Sequence, residues 1–206
     1  MLGFFDYTMW LTCAGMACAV VGISLAVDGQ PTWAVACLML AGFCDSVDGM
    51  VARTKKDRTA EERYFGAQLD SLCDIVSFGV LPAVLCYTLG VRGVVGNLVL
   101  AFYCVCGVIR LAWFNMLEAC RTPENNPKRH YHGLPITFIS AILPLVYLLR
   151  VWMPDAPFAL ALYGMLLVIA GLYILDFPVP RTKPVVGASL MLIDIAALMV
   201  CLMSGV

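Results

Sequence analysis

The amino-acid sequence predicts an all-α fold, a polytopic bundle of transmembrane helices. Of the 206 residues, 62% are hydrophobic and 13% are charged, whereas about a quarter are charged in a typical soluble domain. The mean hydropathy is +0.89, and apolar runs that can cross a bilayer core of roughly 30 Å recur along the chain. Basic residues also cluster in alternate connecting segments, as in multi-pass proteins. We expect one integral membrane domain over residues 1–206, with six core helices and an extra C-terminal helix.

Seven apolar segments are predicted to span the membrane. The second carries Asp45 and Asp48 near its end, and the third carries Asp70 and Asp74 near its start. The seventh is short and contains Asp194. In chain order the predicted spans are 8–27, 32–53, 65–89, 94–117, 134–152, 158–176 and 185–203.

The distribution of basic residues predicts the orientation. Ten of the 13 lysines and arginines fall between spans two and three, four and five, and six and seven. The opposite connections hold only Arg92 and Arg150. Because cytoplasmic loops carry the excess of Lys and Arg, the three basic segments and the N-terminus are predicted to face the cytoplasm. No cleavable signal peptide is expected, since the N-terminus lacks a basic region and a small-residue cleavage site.

Two pairs of aspartates lie within these apolar spans. Asp45 and Asp48 are three residues apart and share one face of span two. Asp70 and Asp74 are four residues apart and share one face of span three. Because a short loop joins the two spans, they run antiparallel and bring both pairs to the same depth. Four carboxylates can therefore converge on one point.

This concentration of carboxylates predicts a metal site. Unpaired carboxylates would repel one another, whereas Mg²⁺ and Mn²⁺ favour carboxylate oxygens, and two such ions would balance four negative charges. A pair of ions can hold a phosphate and stabilise both the attacking and the leaving oxygen. Gly49, Ala52 and Gly66 leave space on the same helix faces, and Arg53 adds affinity for an anion.

The string D-x-x-D-G-x-x-A-R, followed by G-x-x-x-D-x-x-x-D, resembles the signature of the CDP-alcohol phosphatidyltransferases. The spacer from Arg53 to Gly66 holds twelve residues, TKKDRTAEERYF, where the common pattern has eight. We expect the excess to lie in a polar loop between helices. All eight fixed positions of the signature are present: Asp45, Asp48, Gly49, Ala52, Arg53, Gly66, Asp70 and Asp74.

The resemblance implies a role for each position of the signature. An acceptor hydroxyl would attack the phosphorus that bears the lipid and displace CMP, with Asp74 as the general base. Two Mg²⁺ or Mn²⁺ ions would be held by four carboxylates, those of Asp45, Asp48, Asp70 and Asp74. The CDP group would be bound by Asp45, Gly49, Ala52, Arg53, Gly66 and Asp70.

Three further strings resemble the serine-specific branch of that family, the CDP-diacylglycerol–serine O-phosphatidyltransferases. They are GAQLDSLCDIVSFGVLPA at 66–83, RLAWFN at 110–115 and GLP at 133–135. This branch implies phosphatidylserine synthesis from CDP-diacylglycerol and L-serine by a homodimer embedded in membrane lipids. We expect a prokaryotic cell membrane, an active site that faces the cytoplasm, and no nucleic-acid partner.

Four residues outside the signature are candidates for contacts with the acceptor or the phosphate: Arg110, Asn115, Arg129 and His132. Arg110 is the one basic residue in the interior of a predicted span, since Arg53 and Arg150 lie at span ends. It either pairs with a motif aspartate or holds the phosphate or the serine carboxylate in a forked contact. Arg129 and His132 belong to a basic loop that either lies near anionic lipid or touches the acceptor.

Two other functions fit part of the pattern. The same reaction with glycerol 3-phosphate or inositol phosphate as acceptor would need more basic residues around the site. A divalent-cation or proton-coupled transporter would place its site near the bilayer midplane, often between inverted repeats. The sequence contains no evident repeat, and the aspartates lie toward the cytoplasmic edge.

Overall fold

The protein is a bundle of α-helices, which a computed structural model describes for residues 7–52, 59–119, 131–179 and 184–204. A π-helical segment, Ile75–Val80, joins α3 to α4. Single 3-10 turns flank α6 at Ile136–Phe138 and Leu149–Val151. In the described part of the chain the α-helices are α1 (Tyr7–Val27), α2 (Pro31–Ala52), α3 (Ala60–Asp74), α4 (Leu81–Thr88), α5 (Gly93–Ala119), α6 (Ile139–Leu148), α7 (Asp155–Ile174) and α8 (Pro184–Met203).

The apolar helical segments coincide with the seven predicted spans. Two of them, Ile136–Val151 and Leu192–Met203, are apolar but shorter than a full span within the described residues. The prediction of an all-α polytopic membrane protein is confirmed. Five segments are long and apolar enough to cross a membrane: Met9–Val27, Pro31–Val51, Ala60–Thr88, Gly93–Leu117 and Asp155–Ile174.

The helix of the third span begins earlier than predicted, at Ala60. Thr59 caps it, because its side chain accepts a hydrogen bond from the Glu62 N–H at 3.1 Å while the Glu62 carboxylate accepts one from the Thr59 N–H at 3.1 Å. Residues 60–65 are therefore helical, although they belong to the long spacer of the signature. The expectation that the extra spacer length lies in a polar loop is wrong for this half of the spacer.

Small residues let α1 and α2 pack closely along an extended interface. A Cβ atom added at Gly22 would lie 2.9 Å from the Cβ atom of Cys37, closer than two such atoms come in real proteins. A Cβ atom added at Gly15 would lie 3.2 Å from that of Cys44. Close approach of this kind is typical of helix pairs in membranes. It holds α2, and with it Asp45 and Asp48, at a defined distance from α1.

The buried core lies where α4, α6 and α7 meet the inner faces of α2 and α5. Its large side chains are almost fully inaccessible to solvent, among them Leu81, Leu143 and Leu162. By contrast, α5 exposes a continuous set of large apolar side chains, as expected of a helix face in lipid. That set includes Val94, Leu98, Phe102, Val105, Ile109, Trp113 and Leu117.

Two connecting segments meet on one side of the bundle. Tyr131–His132 pairs in antiparallel fashion with Pro178–Val179, and the Gly133 N–H donates to the carbonyl of Phe177 at 2.8 Å. The α5–α6 and α7–α8 connections therefore lie on the same side, as the predicted alternation of the spans requires.

Candidate active site

Three of the four motif aspartates meet at one point. Asp45 lies on α2, and Asp70 and Asp74 lie one turn apart on α3. Each offers a carboxylate oxygen, and the three oxygens lie within 4.8 Å of one another. The spacing of four residues within α3 places Asp70 and Asp74 on one face, and the packing of the helices turns that face toward Asp45.

Asp48 lies outside this group of three but lines the same small cavity as Asp45 and Asp74. It is 8% exposed, and its Oδ2 atom accepts a hydrogen bond of 2.9 Å from the hydroxyl of Thr12 on α1. The expectation that all four carboxylates converge therefore needs refinement, because three share one point and the fourth is held from the neighbouring helix. Sequence reasoning missed Thr12, because its position relative to Asp48 depends on how α1 packs against α2.

The group of Asp45, Asp70 and Asp74 has the chemistry of a divalent-cation site. Carboxylate oxygens are the ligands that Mg²⁺ and Mn²⁺ prefer, and oxygens within 4.8 Å of one another are close enough to bind one ion together. The residues present therefore fit a divalent ion. Asp48 could complete a second position beside the first, so the predicted pair of ions remains a prediction.

Space is open beside the aspartates at two glycines. A Cβ atom added at Gly49 or at Gly66 would meet no described atom outside its own helix within 4 Å. Gly42 lies about two turns before Gly49 on α2. Its surroundings are closed, because a Cβ atom added there would collide with the side chain of Ser140 on α6. Gly42 thus serves helix packing, while Gly49 and Gly66 border space that no described atom outside their own helices occupies.

Arg110 donates its guanidinium hydrogen bonds to backbone carbonyls and not to one of the motif aspartates. It is 9% exposed, its Nε atom donates to the carbonyl of Leu134 at 3.2 Å, and a terminal guanidinium nitrogen donates to that of Gly133 at 3.3 Å. The acidic group that interacts electrostatically with it is Asp176, just after α7. Its contacts therefore favour the structural alternative, with Asp176 in place of a motif aspartate, and its role toward a substrate stays a prediction.

Asn115 lies next to the aspartate-bearing helix. Its Oδ1 atom accepts a hydrogen bond of 2.8 Å from the hydroxyl of buried Ser71, which immediately follows Asp70. This bond ties α5 to α3 at the level of the carboxylates. Arg53 and Arg129 lie outside the described residues, as do the side chains of Ala52 and His132, so their predicted contacts stay predictions.

This site belongs to an established class of membrane enzyme. Residues 7–175 match the family model described as CDP-alcohol phosphatidyltransferase. The chain belongs to this family, so the resemblance carried by the aspartate signature is confirmed.

Curated relatives narrow the comparison within the family. The chain is 32% identical to the CDP-diacylglycerol–serine O-phosphatidyltransferase of Saccharomyces cerevisiae over 152 residues, which are 70% of this chain and 54% of the yeast protein. It is 30% identical to the Bacillus subtilis protein of the same name over 138 residues, 66% of this chain and 72% of that protein. It is 35% identical to the archaetidylserine synthase of Methanothermobacter thermautotrophicus over 129 residues, 62% of this chain and 52% of that protein. The chain thus spans about half the length of its yeast and archaeal relatives.

Proposed function

We propose that the protein is a phosphatidylserine synthase, which transfers the phosphatidyl group from CDP-diacylglycerol to the hydroxyl of L-serine and releases CMP. The observation that carries this proposal is the convergence of Asp45, Asp70 and Asp74 beside the open helix faces at Gly49 and Gly66. Membership in the CDP-alcohol phosphatidyltransferase family supports the reaction type. The relatives whose names specify serine support the choice of acceptor.

In the proposed reaction Asp74 takes the proton of the serine hydroxyl while the hydroxyl oxygen attacks the phosphorus that bears the lipid. The bond from that phosphorus to the CMP oxygen breaks, and its electron pair leaves with CMP. A bound Mg²⁺ or Mn²⁺ would neutralise charge on the reacting phosphates. Asp45, Asp70 and Asp74 would hold that ion, with Asp74 also serving as the base, and Asp48, oriented by Thr12, would support a second ion. The protein contributes mainly positioning and charge stabilisation.

The nucleotide is proposed to lie against the face of α2 and α3 that Gly49 and Gly66 leave open. An α-helix without a side chain at one position lets a flat base or a phosphate approach its backbone closely. Arg53 directly follows α2 and would add a fixed positive charge for the pyrophosphate. Ala52 would extend the same small-residue surface.

The serine subsite is proposed to lie between α3 and the segment that precedes α6. Asn115 reaches this region from α5 through its bond to Ser71, and Arg129 and His132 belong to the adjoining basic segment. Arg110 donates to the carbonyls of Gly133 and Leu134, so we assign it to the stability of this segment rather than to contact with serine.

We place this site at the cytoplasmic face of the membrane. The α5–α6 and α7–α8 connections meet on one side, and alternation of the spans brings the strongly basic α2–α3 connection to the same side. CDP and serine are water-soluble groups, whereas the acyl tails must stay in lipid. A site at this interface that opens sideways would accommodate both. We also expect a homodimer and a prokaryotic cell membrane, as the resemblance to the family implies.

Release of CMP by the purified protein tests the proposal. CDP-diacylglycerol or an ether-linked CDP-lipid is supplied with Mn²⁺ or Mg²⁺ and with L-serine, glycerol 3-phosphate or inositol phosphate in separate reactions. We expect release that depends on serine and is abolished by EDTA and by Asp74→Asn. Asp194→Asn is the matched control, because Asp194 is also a buried aspartate of a span but does not belong to the cluster, and it should retain activity.

The separate reactions test the acceptor, the roles of the aspartates and the lipid class independently. Release with glycerol 3-phosphate and none with serine would contradict the choice of acceptor but keep the reaction type. Full activity in EDTA, or in Asp74→Asn, would contradict the proposed roles of the aspartates. Faster release with the ether-linked lipid would show that the ether-linked backbone is the preferred lipid substrate.

A further inference from the structure

The helix that carries Asp70 and Asp74 changes its winding immediately after Asp74. From Ile75 to Val80 it is a π-helix, and the Leu81 N–H donates to the carbonyl of Val76, five residues back rather than four. Such a turn accommodates one residue more than an α-helical turn. One residue corresponds to about 100° of rotation. The wide turn therefore rotates the aspartate-bearing half of the span by about this angle relative to the other half.

The half beyond the wide turn is anchored in the core. Leu81, Leu85 and Cys86 are fully buried, so packing fixes the orientation of α4. The direction in which Asp70 and Asp74 point relative to α4 therefore depends on the wide turn between α3 and α4. A continuous α-helix with the same α4 packing would point both carboxylates about 100° away from Asp45.

A proline just after the wide turn disfavours a continuous α-helix through this segment. In a continuous α-helix the carbonyl of Phe78 would accept a hydrogen bond from the residue four positions on, but that residue is Pro82, which has no N–H. The proline ring would also clash with this carbonyl. A continuous α-helix would therefore leave this carbonyl unpaired, which is costly inside a membrane, whereas the five-residue pattern of the wide turn moves Pro82 out of register with Phe78 and a side-chain donor also reaches the Phe78 carbonyl.

Tyr103 on α5 is that donor. Its side chain is 0% exposed, and its hydroxyl donates to the carbonyl of Phe78 at 2.5 Å. Its ring packs on that of Tyr173 with centroids 5.8 Å apart, and the Tyr173 hydroxyl donates to the carbonyl of Ile136 at 3.1 Å. A side chain of α5 thus holds the wide turn. Through Tyr173, the same side chain is connected to α7 and to the 3-10 turn that precedes α6.

We propose that Tyr103 is a positioning residue for the metal-binding aspartates. By holding the carbonyl of Phe78 it stabilises the wide turn, and the wide turn sets the rotation that brings Asp70 and Asp74 to Asp45. The inference rests on the proposed function, because it assumes that the aspartate group binds a divalent ion. Tyr103 does not touch the substrate or the ion.

The test compares two tyrosine-to-phenylalanine variants that each remove one buried hydroxyl. Tyr103→Phe removes the donor to the wide turn. Tyr147→Phe is the matched control, because Tyr147 is equally buried and its hydroxyl shares a hydrogen bond of 2.8 Å with that of Thr32, away from the aspartates. Binding of Mn²⁺ alone is measured by the EPR signal of the free ion, together with the thermal midpoint of unfolding and the kcat of CMP release.

We expect Tyr103→Phe to bind Mn²⁺ about ten-fold more weakly than the wild type, as is typical when a group that orients metal ligands is lost, with a matching fall in kcat. Tyr147→Phe should lower the thermal midpoint to a similar extent and leave Mn²⁺ binding unchanged. Equal Mn²⁺ affinity in wild type and Tyr103→Phe overturns the inference. Absence of Mn²⁺ binding in the wild type would instead contradict the metal site of the proposed function.

A second variant separates positioning from simple hydrogen-bond loss. Pro82→Ala in the Tyr103→Phe background returns an N–H that can pair with the Phe78 carbonyl and lets the wide turn revert to an α-helix. We expect the thermal midpoint to recover while Mn²⁺ binding stays weak. Full recovery of Mn²⁺ binding would contradict the positioning role, because the aspartates would then bind the ion without the rotation that the wide turn supplies.

Discussion

Gly49→Ala should leave the protein folded and impair nucleotide binding. Gly49 lies within α2, and no described atom outside that helix lies within 4 Å of the added methyl group. Alanine in a helix interior is favoured over glycine by roughly 0.5–1 kcal/mol, so the variant should be at least as stable as the wild type. The same methyl group would enter the space assigned to the nucleotide. Overpacking of a fitted interface costs about 1–3 kcal/mol, which corresponds to a weakening of about five- to a hundred-fold.

The assay measures the KM for CDP-diacylglycerol and for serine in mixed micelles, and the thermal midpoint by tryptophan fluorescence. Gly164→Ala on α7 is the matched control, because Gly164 also lies inside a helix and a Cβ atom added there would meet no described atom outside that helix within 4 Å. We expect both variants to keep their thermal midpoint and only Gly49→Ala to raise the KM for CDP-diacylglycerol. An unchanged KM in Gly49→Ala would refute the assignment of the open face to the nucleotide. A fall in its thermal midpoint would refute the claim that the space is free of protein.

Three further predictions concern the aspartates and the buried arginine. Thr12→Val should weaken Mn²⁺ binding ten- to a hundred-fold, because Asp48 loses the 2.9 Å hydrogen bond that orients it. The control Thr32→Val removes a buried hydroxyl elsewhere and should only lower the thermal midpoint. Equal Mn²⁺ affinity in the two variants would reject the role of Thr12. Asp74→Asn should abolish CMP release with little effect on CDP binding measured by calorimetry, whereas Asp45→Asn should lose both, and equal loss of CDP affinity would reject separate roles. Arg110→Lys should lower the thermal midpoint and leave the serine KM unchanged, because contacts of roughly 1.5–3 kcal/mol to backbone carbonyls are weakened. A rise in the serine KM of about ten- to a hundred-fold would instead show that Arg110 binds the serine carboxylate.

The sequence was informative wherever a property depends on neighbouring residues along the chain. Membrane-spanning length depends on a run of apolar residues, and the spacing of Asp70 and Asp74 places both on one face whatever surrounds the helix. The capping box at Thr59 is equally local, and its pattern, a threonine followed three residues later by Glu62, could have been read before the structure. The early start of α3 was therefore predictable in principle.

Rotation of one helix against another could not be obtained in this way. Whether Asp48 joins Asp45 in one group depends on the angle of α2 about its axis and on the position of Thr12 on a different helix. The partner of Arg110 is likewise remote, since Asp176 lies 66 residues further along the chain. Such contacts arise from packing of side chains that are distant in sequence, and a single chain's periodicity contains no information on them.

The membrane spans, their alternation and the two aspartate pairs of the family signature can be inferred from the sequence alone. These follow from hydrophobic length and helical period, which are properties of short segments. The packed bundle was needed to show that Asp45, Asp70 and Asp74 share one point while Asp48 is held by Thr12. The convergence depends on how far each helix is turned when the buried core is packed, and packing is a property of the whole bundle rather than of any one segment.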